Sequence, residues 1–185
     1  LDPDPVWSVR ATIASTFGTL PPDIALPGLN TMLGDPDHRV IPAVLDALVK
    51  LRAPNVAAVL LQRLNDEDPA VRSAAAMGLG EIKPPNGEQA LIDAYQFSQR
   101  DSTYSARTAA LAALSKYGPA AAAPVLKTAL ADKDWAVRLR AAMLLEQLDP
   151  ASAAEVDRQI RPAPTTAAIA TYEAARLTNP PVSTA

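Results

Sequence analysis

Asp66-Glu-Asp-Pro-Ala-Val-Arg72 returns 66 residues later as Asp132-Lys-Asp-Trp-Ala-Val-Arg138. Both copies have Asp six and four residues before an arginine, and Val directly before it. Weaker copies end at Arg10, at Arg107 and at Ile41, where isoleucine replaces the arginine. We call the last residue of each copy the anchor, and number positions in each unit from it. The anchors are separated by 31, 31, 35 and 31 residues, which indicates five units with one four-residue insertion between residues 84 and 101.

The residues after each anchor predict two helices per unit. Apolar residues stand at +3 and +7, a spacing that places them on one helical face. Proline follows at +12 in four units and at +13 in the other, and leucine stands at +19 in the first four units. Because proline cannot continue a helix, each unit is expected to break there. The residues are Ile13, Val44, Ala75, Ala110 and Ala141 at +3; Phe17, Leu48, Leu79, Leu114 and Leu145 at +7; Pro22, Pro54, Pro84, Pro119 and Pro150 at the break; and Leu29, Leu60, Leu91 and Leu126 at +19.

The opening aspartates have the character of helix caps. Asp68 is followed by proline, the preferred residue at the first position of a helix. The same register predicts Asp37, Thr103 and Asp134 as caps. In the first unit Val6 takes this position, and Asp4 is expected to cap two residues earlier.

The pattern D-x-D-x-x-V-R-x-x-A-A-x-x-L, followed by a break and a second helix, resembles HEAT repeats, and most closely the short variety found in phycobilisome lyases. The resemblance covers residues 2–162. It implies an all-α, right-handed α-α superhelix of five two-helix repeats. It also implies that the second helices form the concave wall of the solenoid.

The register breaks after residue 162, and residues 163–185 are expected to form a C-terminal helix, over residues 167–177, and a linker. Ile169, Tyr172 and Leu177 would dock that helix on the last repeat. This tail resembles the segment that joins a HEAT array to a cyclophilin-type peptidyl-prolyl isomerase domain in some bacterial fusion proteins. The matching motifs are R-P-x-x-x-T, Y-x-x-A and N-P-P-V. The resemblance implies a further domain beyond Ala185, with no cyclophilin residue in this chain.

Composition excludes several classes of site. The chain of 185 residues has no cysteine and one histidine, so a thiolate site and a histidine-rich metal site are excluded. The net charge of -3 argues against a general nucleic-acid binder, and no apolar run is long enough to span a membrane. No nucleotide-binding loop, nucleophile elbow or zinc helix is present. We therefore expect no catalytic residue, no cofactor and no metal, and a partner that is a protein or peptide.

Two features of the helix starts have a functional and a structural interpretation. His38 would be a general base oriented by Asp37, or simply the residue that fills position -3 in its unit. The structural interpretation is favoured, because position -3 holds Trp7, Pro69, Tyr104 and Trp135 in the other units. The aromatic members of this position, Trp7, Tyr104 and Trp135, would form a stacking ladder for a ligand, or would be first-turn residues wedged between neighbouring units. The wedge is favoured.

The anchor arginines are predicted to be structural. Arg10, Arg72, Arg107 and Arg138 would each reach a helix-opening aspartate of an adjoining unit, rather than form a basic spine for phosphate. The joint of Ile41 is then expected to lack one ion pair.

The second helices supply the candidate partner surface. Position +20 should point away from the seam between helices, and it holds Leu61 and Ile92 on neighbouring units, with Lys127 and Arg158 beyond them. An apolar patch rimmed by polar groups is typical of a partner site. Phe97, Ser98 and Gln99 lie near the insertion, where solenoids often vary a loop for binding. The predicted partner-binding residues are Leu61, Gln62, Gln89, Ile92, Asp93, Gln96, Lys127 and Arg158.

The function that the sequence favours is a non-catalytic scaffold for protein–protein interaction, as an accessory domain of a larger protein. One alternative is a domain that positions substrate for an isomerase domain encoded downstream. The other is a bilin lyase or chaperone subunit, which follows from the repeat resemblance alone.

Overall fold

The structure, a computed structural model, describes residues 4–150, and within that range it is built of helices without strands. The second helix predicted for unit 5, the predicted helix over residues 167–177, the linker and Arg158 lie outside the described residues. The first helices of the five units are α1 (Trp7–Phe17), α3 (Ile41–Lys50), α5 (Pro69–Ile82), α7 (Ser105–Ser115) and α9 (Trp135–Leu148). The second helices are α2 (Pro22–Met32), α4 (Val56–Arg63), α6 (Gly87–Phe97) and α8 (Pro119–Ala129), and a 3-10 turn, Ser98–Arg100, follows α6.

The helices pack as a repeat array. Each first helix contacts the first helix of the next unit, and each second helix contacts its own first helix and the following one. Every unit thus buries its apolar face against a neighbouring copy of itself, which is the packing of a solenoid. The predicted all-α solenoid is confirmed.

The core repeats with the register of the sequence. The leucines at +19 are fully buried in all four described second helices, and positions +3 and +7 are buried in units 2 to 5. Unit 1 differs: Ile13 is 40% exposed, and Val9, at a position that is buried in the later units, is 41% exposed. No helix within residues 4–150 covers these two side chains.

Two of the five predicted caps are confirmed and three are wrong: Asp4 accepts the N–H of Val6, but α1 begins at Trp7 without a side-chain cap. Asp68 and Asp134 accept hydrogen bonds from the N–H groups of Ala70 and Ala136, at 2.7 and 2.9 Å. Asp37 does not cap α3, because its carboxylate accepts the N–H of Arg39 in a turn and the helix begins only at Ile41. Helix α7 starts one residue later than expected, at Ser105, with no side-chain cap from Thr103.

The proline breaks are in the predicted places. Pro22 and Pro119 are the first residues of α2 and α8, and Pro54 and Pro84 lie in the turns before α4 and α6. Position +11, just before the break, has a left-handed backbone in three units, at Arg52, Lys83 and Gly118. This conformation ends a helix and turns the chain sharply. Two prolines at +17, Pro27 and Pro124, lie inside α2 and α8, where each removes one helical hydrogen bond.

Small residues allow the first helices to approach closely. A Cβ atom on Gly80 of α5 would lie 2.9 Å from the Cα atom of Ala113 in α7, so this contact has room only for glycine. Ala75 and Ala141 are likewise fully buried at their seams. The alanine-rich composition is therefore a consequence of helix-to-helix distance.

We expect Ala75→Leu and Ala141→Leu each to lower the free energy of unfolding by about 1–3 kcal/mol, because a larger side chain overpacks a filled seam. Urea denaturation measures the change. The control is Ala58→Leu, at an exposed position of α4, which should change stability by about 0.5 kcal/mol or less. If the Ala75 and Ala141 variants were as stable as the unsubstituted chain, these alanines would not lie in filled contacts between the first helices.

Candidate functional site

An arginine–aspartate clamp joins successive units. The guanidinium of Arg10 binds both carboxylate oxygens of Asp35, at 2.7 and 2.9 Å, and also donates to the carbonyl of Asp4. Asp4 and Asp35 occupy position -6 of units 1 and 2. One arginine therefore ties the opening turn of its own unit to the opening turn of the next.

The same clamp recurs at Arg72 and Arg107. Arg72 donates to the carbonyls of Asp66 and Glu67, at 2.6 and 2.9 Å, and forms an ion pair with Asp101. The side chain of Arg107 is completely buried, and its Nε lies 3.4 Å from Oδ2 of Asp132. The prediction that the anchor arginines reach helix-opening aspartates of adjoining units is confirmed for Arg10, Arg72 and Arg107. Arg138 binds the carbonyl of Asp132 at 2.8 Å, and the next unit lies outside the described residues.

The joint between units 2 and 3 uses substitute partners. Ile41 cannot reach Asp66, but Arg63 at the end of α4 binds Oδ2 of Asp66 at 2.9 Å and the carbonyl of Leu33 at 2.6 Å. Nδ1 of His38 lies 3.2 Å from Oδ1 of the same carboxylate. The prediction that this joint lacks an ion pair is therefore wrong. His38 contacts Asp66 and not Asp37, so the arrangement proposed for a general base is absent.

Residues at and beside the insertion in unit 3 add hydrogen bonds to the joint between units 4 and 5. Tyr95, in the position that holds leucine in the other described units, donates its hydroxyl to Oδ2 of Asp132 at 3.0 Å, and Gln99 donates to the same oxygen at 3.1 Å. Ser98 is buried, and its carbonyl accepts a hydrogen bond from Arg107. The guanidinium groups of Arg72 and Arg100 lie 5.5 and 3.7 Å from the ring centroid of Phe97. The inserted residues are thus engaged within the array, which contradicts their interpretation as a binding loop.

The clamps shift the pKa values of their acids. Burial alone would raise the pKa of Asp132, but the Asp134 N–H, Gln99, Tyr95 and Arg107 together hold it below its ordinary value. The pKa of Asp66 is lowered in the same way by the Asp68 N–H, Arg63 and His38, against the effect of burial. The hydrogen bond from Arg10 lowers the pKa of Asp35. Burial and the bond to Asp132 raise the pKa of Tyr95 to about 12. The three aspartates are therefore ionised near neutral pH and Tyr95 is neutral, so none of these groups exchanges a proton there.

The predicted partner surface lies on α4, α6 and α8, as the register requires. Leu61 and Ile92 are half-buried and pack against the core, so the row exposes less apolar surface than the sequence indicated. The polar members are exposed, and Gln89 donates to Asp93 at 2.8 Å, one turn away on α6. Binding by these residues stays a prediction. The exposed members are Gln62, Gln89, Asp93, Gln96 and Lys127.

A second surface, which the sequence reasoning missed, lies on the first helices. We call it the α5–α7–α9 groove, and it encloses about 630 Å³. Tyr104 and Trp135 lie at one end, where they are 49% and 67% exposed, so the wedge interpretation is wrong for these two residues. Trp7 does contact the next unit, because the guanidinium of Arg39 lies 4.4 Å from the centroid of its ring. Met77 and Met143 line opposite sides. The available signal was the exposed position +5, which is Ser15 and Asp46 in units 1 and 2 but methionine in units 3 and 5.

Two further observations concern other classes of site. Among residues 4–150, no helix is long and apolar enough to cross a membrane. The same part of the chain contains no group of three or more His, Cys, Asp or Glu side chains that could hold a metal ion.

The sequence profile of the family described as HEAT repeats matches residues 1–66 and 57–146. The chain belongs to the HEAT-repeat family. HEAT repeats are typical of scaffolds for protein interaction. No protein with a curated description matches the chain. The isomerase and bilin-lyase associations and the domain boundaries at residues 162 and 163 stay predictions.

We expect Arg107→Leu to lower the free energy of unfolding by about 3–5 kcal/mol, because it leaves the Asp132 carboxylate buried without its cation. Thermal and urea denaturation measure the loss. The control is Lys50→Leu, which removes an exposed pair with Asp46 and should cost about 0–1 kcal/mol. Similar losses in the two variants would show that the buried ion pair stabilises the fold no more than the exposed one.

Acid should weaken the fold through the clamps. Because Asp35, Asp66 and Asp132 have folded-state pKa values below the ordinary 3.8, their contribution is complete above that value and disappears as the pH falls through the lowered pKa. The free energy of unfolding should therefore fall between about pH 5 and about pH 2. Asp132→Asn should be less stable than the parent at neutral pH and show a shallower fall, whereas Asp23→Asn, at an exposed carboxylate, should follow the parent. A parent whose stability is constant over this range would contradict the assignment.

Proposed function

We propose that this chain is a non-catalytic scaffold that binds a protein partner along its second helices, as an accessory domain of a larger protein. Membership of the HEAT-repeat family supports the scaffold class. The joints use the buried faces and the ends of the helices, which leaves the exposed faces of α4, α6 and α8 free to present side chains at regular intervals.

The observation that carries the choice of surface is the set of exposed polar side chains on these helices. Gln62, Gln89, Asp93, Gln96 and Lys127 are not needed for the joints, and their amide, carboxylate and ammonium groups can form directional hydrogen bonds. Leu61 and Ile92 lie beside them and contribute a half-buried apolar edge. Such a surface suits a polar partner face.

The experiment is proximity labelling by the full-length parent, fused to a biotin ligase, in the organism that encodes it. We expect Gln89→Lys with Asp93→Lys to lower the enrichment of the main partner about tenfold, because it reverses the charge at the centre of the surface.

The matched control is Ser15→Lys with Asp46→Lys, which makes the same change of charge, +3, at exposed positions of the first helices α1 and α3. It should retain the partner. Circular dichroism melting confirms that all variants are folded. Equal enrichment of the partner by the unsubstituted protein, the double variant and the control would show that the second helices are not the binding surface.

A further inference from the structure

The α5–α7–α9 groove has the shape of a trough. Its floor is the exposed side of α7, which carries only small side chains there, at Thr108, Ala109 and Ala112. Its walls are higher: Met77 projects from α5, and Leu139 and Met143 project from α9. Large side chains on both neighbours and small ones between them leave a channel parallel to α7. At 1.5 Å per residue, the 11 residues of α7 give it a length of about 16 Å.

The apolar lining is not required by the fold. Position +5 holds a methionine of the groove in units 3 and 5, whereas units 1 and 2 have Ser15 and Asp46 there and their first helices pack in the same way. In units 3 to 5 the large apolar residues of the row stay 44% to 67% exposed. Side chains of this kind on an otherwise satisfied surface are typical of an interaction site. The exposed residues are Met77, Tyr104, Trp135, Leu139 and Met143.

The charge of the groove selects the partner. Lys116 and Arg140 are the charged residues that line it, so the lining carries no carboxylate. Lys116 forms an ion pair with Glu81, whereas Arg140 forms none within residues 4–150. Arg140 lines the groove from α9, so its guanidinium is available to a carboxylate of a bound molecule.

We propose that the α5–α7–α9 groove binds an amphipathic α-helix of a partner protein, with apolar anchors at helical spacing and acidic residues along one flank. The small floor admits a helix close to α7, and the methionine walls adapt to its anchors. Arg140 pairs with a flanking carboxylate and fixes the orientation of the helix. This surface is separate from the second helices, so binding at either surface can be lost without affecting the other.

The test uses the full chain and two synthetic helical peptides of about 18 residues. Both have leucine at the i, i+3, i+7 and i+10 positions, and they differ only in having glutamate or lysine on the flank. Fluorescence anisotropy measures binding. We expect the glutamate peptide to bind at least about tenfold more tightly than the lysine peptide, and Arg140→Glu to reverse this preference.

A pair of matched variants locates the site. Met143→Glu places a charge in the trough and should weaken the glutamate peptide at least about tenfold. Ile24→Glu makes the same chemical change at an exposed residue of α2, away from the groove, and should leave the affinity unchanged. Equal affinity of both peptides for all variants would overturn the proposal.

Two other occupants would also overturn it. Light scattering that shows a dimer of the parent and a monomer of Met143→Glu would assign the groove to a second copy of the chain. A photo-crosslinker at position 77 that reacts with residues 151–185 of the same chain, in the absence of peptide, would assign it to that segment. A monomer without such a crosslink, together with the flank preference, supports the proposed partner.

Discussion

The structure depends on a buried arginine that binds two opening turns at once. A helical pair of about 30 residues cannot bury its apolar face alone, so each unit must be held in register with the next. The guanidinium does this with separate N–H groups: some reach carbonyls in its own opening turn, and others reach the aspartate at -6 of the next unit. Removing such a cation costs more than the pair contributes, since a carboxylate remains buried without its partner.

The joints show how far this arrangement tolerates variation. Where Ile41 replaces the arginine, Arg63 reaches Asp66 from the end of the preceding second helix, with His38 beside it. Where four residues are inserted, Tyr95 and Gln99 fill the added space and bind Asp132. In both cases the aspartate at -6 keeps several donors. The carboxylate is therefore the constant element of the joint, and the cation that neutralises it can come from either helix.

Positions outside the joints are free to diverge, and they do so differently on the two rows of helices. The second helices present amides and single charges, which in the proposed function would orient a partner through hydrogen bonds. The first helices of units 3 to 5 present methionine and aromatic side chains, whose burial supplies most of the free energy of a contact. One array thus offers two chemically distinct surfaces without any change in its packing.

The sequence by itself determined the repeat, the helical pairs, the proline breaks and the leucine core, because all of these follow from local spacing. It also predicted the arginine–aspartate pairs, since the residues recur at fixed positions. Tertiary structure alone decided the rest. Arg63, 22 residues after the missing anchor, replaces it only because the end of α4 lies beside Asp66. The groove exists because small side chains on α7 lie between larger side chains on α5 and α9. These three helices belong to successive units, so the difference in side-chain size becomes a groove only when the units pack side by side. Periodicity predicts which residues share a helical face, but exposure depends on what the neighbouring helices place beside them.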